Sequence, residues 1–147
     1  MPGTKKPVSV LVVIHDADLN VLLLERAAHP GFWQSVTGSQ EDGESLRQTA
    51  RREVAEETGI ACAESDLADW RLSNRFEILE LWRDRYPAGV THNIEHVFSL
   101  RVPSGAAVAT APGEHRDHRW LPWRAAAAAC FSWTNRDAIL LLGLERT

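Results

Sequence analysis

Apolar residues run almost unbroken from position 8 to 14, interrupted only by Ser9. A short run rich in Val and Leu predicts a strand buried in the core. The polar stretch 15–20 predicts a turn, and residues 21–25 a second strand, so the two should form a hairpin. Arg26 closes that strand, and His29-Pro30-Gly31 breaks the chain. Residues 32–37 predict a short strand. Leu46, Ala50 and Val54 then recur every four residues, as one face of a helix does. Ser45 followed by Gln48 is a capping-box start, and Gly59 stands where a left-handed cap would end the helix. The helix should therefore cover residues 45–58, preceded by a loop at 38–44.

Residues 60–66 carry no clear pattern. Residues 70–81 alternate roughly and predict a long strand. A loop containing Pro87 and Gly89 follows over 83–90, then a strand over 93–102. Residues 103–113 are small and turn-rich, as a mobile segment would be. A short strand is predicted at 118–121, and Pro122 opens an alanine-rich helix. Thr134 followed by Asp137 predicts the cap of a last helix carrying Ile139, Leu140, Leu142 and Leu144. Strands on either side of one helix, with further helices at the end, imply an α/β fold with a mixed sheet covered on two sides.

At 147 residues the chain suits one domain, 1–147, with a sizeable core. The formal net charge of -4 argues against a general nucleic-acid binder. Any cations at a phosphate site must therefore be local. Cys62 and Cys130 are too few for a disulfide framework, so free thiols and a cytoplasmic setting are expected. The basic start at Lys5 and Lys6 before an apolar run lacks a small-residue cleavage site and reads as a first strand, not a signal peptide. No stretch is long enough to span a membrane.

The candidate chemistry lies on the first helix. Glu53, Glu56 and Glu57 fall within about a quarter-turn of one another. Like charges at that spacing repel by a few tenths of a kcal/mol per pair. A hard divalent cation would remove that penalty, and Mg²⁺ typically takes one or two carboxylates together with waters and phosphate oxygens. Arg52 lies four residues before Glu56 and could hold either that carboxylate or Glu44. Three glutamates alone would more often be a solvated face. The register of loop, arginine and glycines points the other way.

That register is specific. Gly38 is followed by Glu44, Arg52, Glu53, Val54, Glu56, Glu57, Gly59 and Ile60 at fixed offsets, a pattern that resembles the Nudix box. The resemblance implies an α/β/α sandwich with a curled mixed β-sheet, and Mg²⁺-dependent hydrolysis of phosphoanhydrides, with Mn²⁺ as a substitute ion. It implies Glu53 and Glu57 as metal ligands, Glu56 next, the Gly38 carbonyl as a further oxygen, and a carboxylate from a later loop. Glu114 is the candidate for the last, with Glu95 and Glu77 as alternatives. His115 and His118 are weaker candidates for a general base.

Four further segments are similar to dihydroneopterin triphosphate diphosphatases, a folate-pathway branch of the family. They are Lys6-Pro7-Val8-Ser9, residues 32–39, residues 85–95 with Asn93 and Glu95, and Ser132-Trp133-Thr134-Asn135-Arg136. This branch implies hydrolysis of a pterin triphosphate to a monophosphate and pyrophosphate. Lys5 and Arg26 would contact phosphates, and Thr37 could donate its hydroxyl. Phe76, Glu77, Ile78 and Leu79, with Ser132 opposite, would hold the ring, Glu77 reading its N–H groups. Most of the six tryptophans are expected in the core. The partner is a small triphosphate, with no nucleic acid or membrane, and the expected state a monomer, a dimer being the alternative. The competing readings are a general (d)NTP diphosphatase and a non-catalytic nucleotide-binding module. The second loses weight because no box glutamate is missing.

Overall fold

The computed structural model describes residues 3–145, two short of the expected 1–147 domain at each end. The strands are β1 (Val8–His15), β2 (Asn20–Arg26), β3 (Trp33–Gln34), β4 (Val36–Ser39), β5 (Leu67–Glu77), β6 (His92–Arg101) and β7 (His115–Pro122). The helices are α1 (Leu46–Thr58), α2 (Trp123–Ala129) and α3 (Trp133–Glu145), with 3₁₀ turns at Glu64–Asp66 and Glu80–Arg85.

β1 is the spine. It runs parallel to β6 from Val8↔Ile94 to His15↔Arg101, and antiparallel to β4 from Ser9↔Ser39 to Val12↔Val36. Successive side chains point to opposite faces of a sheet. Val10, Val12 and Ile14 thus meet Ala50 and Val54 of α1 together with Val36, Phe98 and Leu100. Leu11 and Val13 meet Trp123, Ala126, Ala138, Ile139 and Leu142 of α2 and α3. Burial on both faces is why this run shows no alternation. The three layers are those expected.

The expected curl of the sheet is corrected. The strands follow an open path, β3-β2-β1-β6-β5, with β4 branching from β1 and β7 from β2. The outer strands β3 and β5 do not pair. One edge of β1 is divided: β4 takes Ser9–Val12, and β2 keeps only His15↔Val21. The sheet therefore forks at β1 and does not roll continuously, and the predicted hairpin is reduced to that one pairing.

Other boundaries shift for local reasons. The strand expected at 32–37 splits at Ser35, whose N–H donates to Asn135 Oδ1 at 2.7 Å and so leaves the ladder. The strand expected to reach residue 81 ends at Glu77. Ile78 still donates to the Thr91 carbonyl at 2.8 Å, but Trp82 N–H then turns back to Leu79 O at 2.9 Å and starts the 3₁₀ turn. β7 begins at His115, three residues before the expected start. α3 starts at Trp133, so Thr134 lies inside its first turn and its hydroxyl meets Ser132 Oγ at 2.9 Å. The stretch 103–113 has no regular structure, yet Ala109 donates to Thr58 O at 2.8 Å and Ala106 and Val108 pack on the α1 side of the core. Cys62 and Cys130 are unpaired.

Candidate active site

α1 opens as its sequence dictates. Gln48 N–H donates to Ser45 Oγ at 3.1 Å, and Ser45 N–H donates to Gln48 Oε1 at 2.8 Å. Gly59, at φ 75°, ends the helix in the left-handed region, where a Cβ is strained.

The helix carries its glutamates at different depths. Glu57 is 3% exposed, while the Glu53 side chain is 13% and that of Glu56 55% exposed. Glu53 and Glu57 face β4, and Glu56 sits at the rim. Proximity on a helical wheel does not distinguish these depths; the packing of β4 on α1 does. A Cβ added at Gly38 would overlap the Glu53 carboxyl group, so only glycine lets the strand come this close. Gly38→Ala is expected to displace Glu53 and lower kcat about 100-fold, with about 1–3 kcal/mol of destabilisation from overpacking. Steady-state kinetics with a parallel thermal melt would check both.

Arg52 ties the box together. Its Nε donates to Glu44 Oε2 at 2.7 Å and its Nη2 to Glu44 Oε1 at 3.0 Å, a two-pronged pairing. Nη1 reaches Glu53 Oε1 at 2.8 Å and Glu56 Oε2 at 3.3 Å, and Nη2 also reaches Ser39 O at 3.1 Å. Both partners foreseen for Arg52 are thus engaged. Its guanidinium holds the Glu44 carboxyl down at about 2, whereas burial raises Glu53 despite the same arginine. Glu57 is pushed well above the carboxylate range by burial first, then by Glu53 and Glu114.

Above these carboxyls lies a cleft of about 620 Å³. Lys5, Lys6, Arg26 and Arg85 line it together with Glu41, Asp42, Glu53, Glu57, Glu114 and His115, Lys6 being paired with Asp42 at 3.1 Å. A second cavity of about 260 Å³ adjoins it, walled by Phe76, Ile78, Leu79, Trp82, Phe131 and Trp133. Lys5, Arg26, Gln34, Thr37, Gly38, Ser39 and Arg85 line both, so the two are one continuous site. Burial and the neighbouring Arg85 and Arg26 lower the Lys5 pKa. Burial likewise lowers that of Arg26, whose guanidinium lies 4.8 Å from the Trp82 ring centre.

Buried polar atoms are nearly always hydrogen-bonded. Among the described residues six are not: Arg26 Nε, Ser39 Oγ, Glu57 Oε1, Asn93 Oδ1, Glu95 Oε1 and His115 Nδ1. All six belong to residues lining these two cavities. Orphans confined to one place mark a surface whose partners come from a ligand.

The other candidates fall as follows. Glu114 is exposed at the cleft edge, where its carbonyl accepts from Ala27 N–H at 2.9 Å. His115 Nε2 stands 3.7 Å from Glu57 Oε1, and burial lowers the pKa of the ring, which Glu114 partly offsets. His118 pairs with Leu24 on β7 and lines neither cavity. The Thr37 hydroxyl already donates to Val10 O at 2.9 Å, so its proton is committed. Glu77 lines the second cavity but is exposed and bound to Arg83 Nη2 at 2.7 Å. Glu95 lies in the second cavity, not among the acidic groups of the cleft. Ser132 lines that cavity, and so do two of the six tryptophans, Trp82 and Trp133.

Sequence reasoning gave no role to Arg85, Gln34, Trp82 or Phe131. Arg85 was visible only as part of a similar segment. Nothing in its spacing says that the 3₁₀ turn brings it beside Lys5 and Arg26.

A buried acid pair under a glycine, facing a local cluster of cations, is the arrangement of a polyphosphate-handling hydrolase. The NUDIX domain model matches residues 5–142, and the chain belongs to the Nudix hydrolase family. It is 46% identical over 138 residues to the dihydroneopterin triphosphate diphosphatase of Escherichia coli K12, covering 92% of this chain and 91% of that protein. It is 39% identical over 134 residues to the Haemophilus influenzae protein of the same name, covering 89% and 84%. The solved E. coli dihydroneopterin triphosphate pyrophosphohydrolase superposes with a TM-score of 0.86 at 45% identity, covering 93% of this chain and 94% of that one. No helix among the described residues is long and apolar enough to cross a membrane.

Proposed function

We propose that this chain hydrolyses dihydroneopterin triphosphate to dihydroneopterin monophosphate and pyrophosphate, a step of folate biosynthesis. One observation carries the reading: a cleft lined by acids and cations opens directly into an aromatic-walled cavity, through shared Lys5, Arg26 and Arg85. A ligand with a polyanionic tail and a planar head fits that shape and charge.

Membership in the family implies dependence on Mg²⁺; among the described residues no group of three acidic, histidine or cysteine side chains stands ready to hold an ion, and Mg²⁺ typically takes one or two carboxylates with waters and phosphate oxygens. Glu53 and Glu57 are crowded, both have raised pKa values, and Glu57 Oε1 has no partner. Glu53 and Glu57 would hold the ion, with Glu56, Glu114 and the Gly38 carbonyl as further oxygens and Mn²⁺ as a substitute ion. An ion held there would offset phosphate charge and lower the pKa of a water.

The chain's own groups do the rest. Lys5, Arg26 and Arg85 draw in the phosphate oxygens and offset their mutual repulsion. Arg52 fixes Glu53 in place, so the acid pair need not reorganise when substrate arrives. Phe76, Ile78 and Leu79 on one side and Ser132 on the other hold the ring and set the register of the tail. Water oxygen bonds to the attacked phosphorus, the bridging oxygen leaves with its phosphate fragment, and the protons of water pass to solvent and product.

Hydrolysis in ¹⁸O-water tests this directly. Pyrophosphate release with label in one product is expected, and the labelled product identifies the phosphorus attacked. A kcat/KM far higher for dATP or oxidised dGTP than for the pterin triphosphate would turn the assignment to a general (d)NTP diphosphatase. Glu114→Gln is expected to lower kcat about 10- to 100-fold; unchanged turnover at saturating Mg²⁺ would remove Glu114 from the site.

A further inference from the structure

The ring cavity has a floor as well as walls. β1 contributes Ser9 and Leu11, and β6 contributes Asn93 and Glu95. Residues two apart on a strand share a face, so Asn93 and Glu95 stand side by side beneath the aromatic walls. Glu95 pairs with Ser9 of β1 and Asn74 of β5, in the middle of the sheet, and is 5% exposed.

Its surroundings do not satisfy it. Burial pushes its pKa up to about 7, and the Thr134 hydroxyl offsets only part of that. Among the described residues no arginine or lysine pairs with it, and Oε1 has no hydrogen-bond partner. Its neighbours are spoken for. Asn93 Nδ2 donates to Ser9 Oγ at 2.7 Å, and Asn135 is engaged at both ends with Ser35, at 2.7 and 3.0 Å. What remains is Glu95 Oε1 and Asn93 Oδ1, two acceptors without a donor among the described residues. A carboxyl that served packing alone would cost stability at this position.

We propose that Glu95, with Asn93 beside it, reads the substrate ring, accepting hydrogen bonds from an exocyclic amine and the adjacent ring N–H of a 2-amino-4-oxo heterocycle. The proposal rests on the functional reading above and narrows it to a recognition group. Adjacent donors are what two adjacent acceptors select. The adenine edge alternates donor with acceptor and would leave one of these two acceptors unpaired, which a buried site penalises. The aromatic walls fix the plane of the ring, and the shared residues Lys5, Arg26 and Arg85 fix the direction of its tail. Glu77, exposed and held by Arg83, does not offer the same buried acceptor.

The test couples a ligand change to a residue change. Neopterin and its lumazine counterpart, with oxygen in place of the 2-amino group, are titrated by fluorescence against the wild type and Glu95→Gln. The wild type should bind neopterin about 10- to 100-fold more tightly than the lumazine. Glu95→Gln should lose that preference or reverse it, because its amide can donate to the new oxygen. Should Glu95→Gln not fold, Glu95→Asp should weaken neopterin binding yet keep the preference. Equal binding of both ligands by the wild type, no binding of neopterin, or a preference unchanged in Glu95→Gln would overturn the proposal. Failure of the wild type to release pyrophosphate from dihydroneopterin triphosphate would instead overturn the functional reading, so the two failures are separable.

Discussion

Glu57→Gln is expected to lower kcat about 10²–10³-fold without weakening the fold of the metal-free protein. Glu57 is 3% exposed, and burial raises its pKa well above the ordinary carboxylate value. A raised folded pKa means that the folded state holds its proton more tightly than the unfolded chain. Ionisation of this side chain therefore costs metal-free stability as pH rises from the unfolded carboxylate value through the raised folded one. The amide removes that cost, so at pH 8 the metal-free variant should melt at or above the wild-type temperature. Added Mg²⁺ should raise the wild-type melting temperature, since a ligand of the folded state stabilises it. The same addition should do little for the variant. Thermal melts at pH 8 with and without Mg²⁺, beside kinetics on the pterin triphosphate, check all of this. A variant with full activity and a full Mg²⁺ response would remove Glu57 from the site.

The second large effect concerns stability. Arg52→Ala should destabilise the protein by about 2–3 kcal/mol and lower the melting temperature by roughly 5–10 °C. The reason is the number of groups on one guanidinium. Glu44, Glu53, Glu56 and the Ser39 carbonyl all lose a partner, and the Glu44 and Glu53 side chains are only 17% and 13% exposed. The figure lies below that for a fully buried pair because the Arg52 side chain is itself 21% exposed. The pH dependence has the opposite sign to that of Glu57. Arg52 holds Glu44 at about 2, below its ordinary 4.5. That contribution is fully present above pH 4.5 and is lost as pH falls towards 2. Chemical denaturation at pH 7 and pH 3 should therefore show a smaller gap between variant and wild type in acid. A gap that widens in acid would contradict the assignment.

Much of this site was legible because its signals are local. The capping box at Ser45 and Gln48, the stripe Leu46–Ala50–Val54 and the cap at Gly59 fix a helix within one stretch of chain. That helix carries Glu53, Glu56 and Glu57 at offsets that bring them together in any fold. Arg52 lies within reach of Glu56 for the same reason, while the turn of the loop before Ser45 brings Glu44 to it. The unbroken apolar run of β1 likewise announces burial on both faces, wherever the covering helices come from.

What the chain order could not disclose is how far each group lies from water and what arrives from elsewhere. Helical spacing makes Glu56 and Glu57 equivalent; β4 pressing on α1 through Gly38 buries one and leaves the other at the rim. The forked sheet depends on which of β2 and β4 takes the edge of β1, a competition between segments that are separate in sequence. Arg85 joins Lys5 and Arg26 only because a 3₁₀ turn carries it there. Glu95 reads as one acidic residue in a strand until β1, β5 and α3 close around it. Sequence by itself determined the local elements and the chemistry they carry, since hydrogen bonds and periodicity act over a few residues. Only the tertiary structure decided depth, partnership and the shape of the cavity, because desolvation and Coulomb forces depend on distance in space and not on separation along the chain.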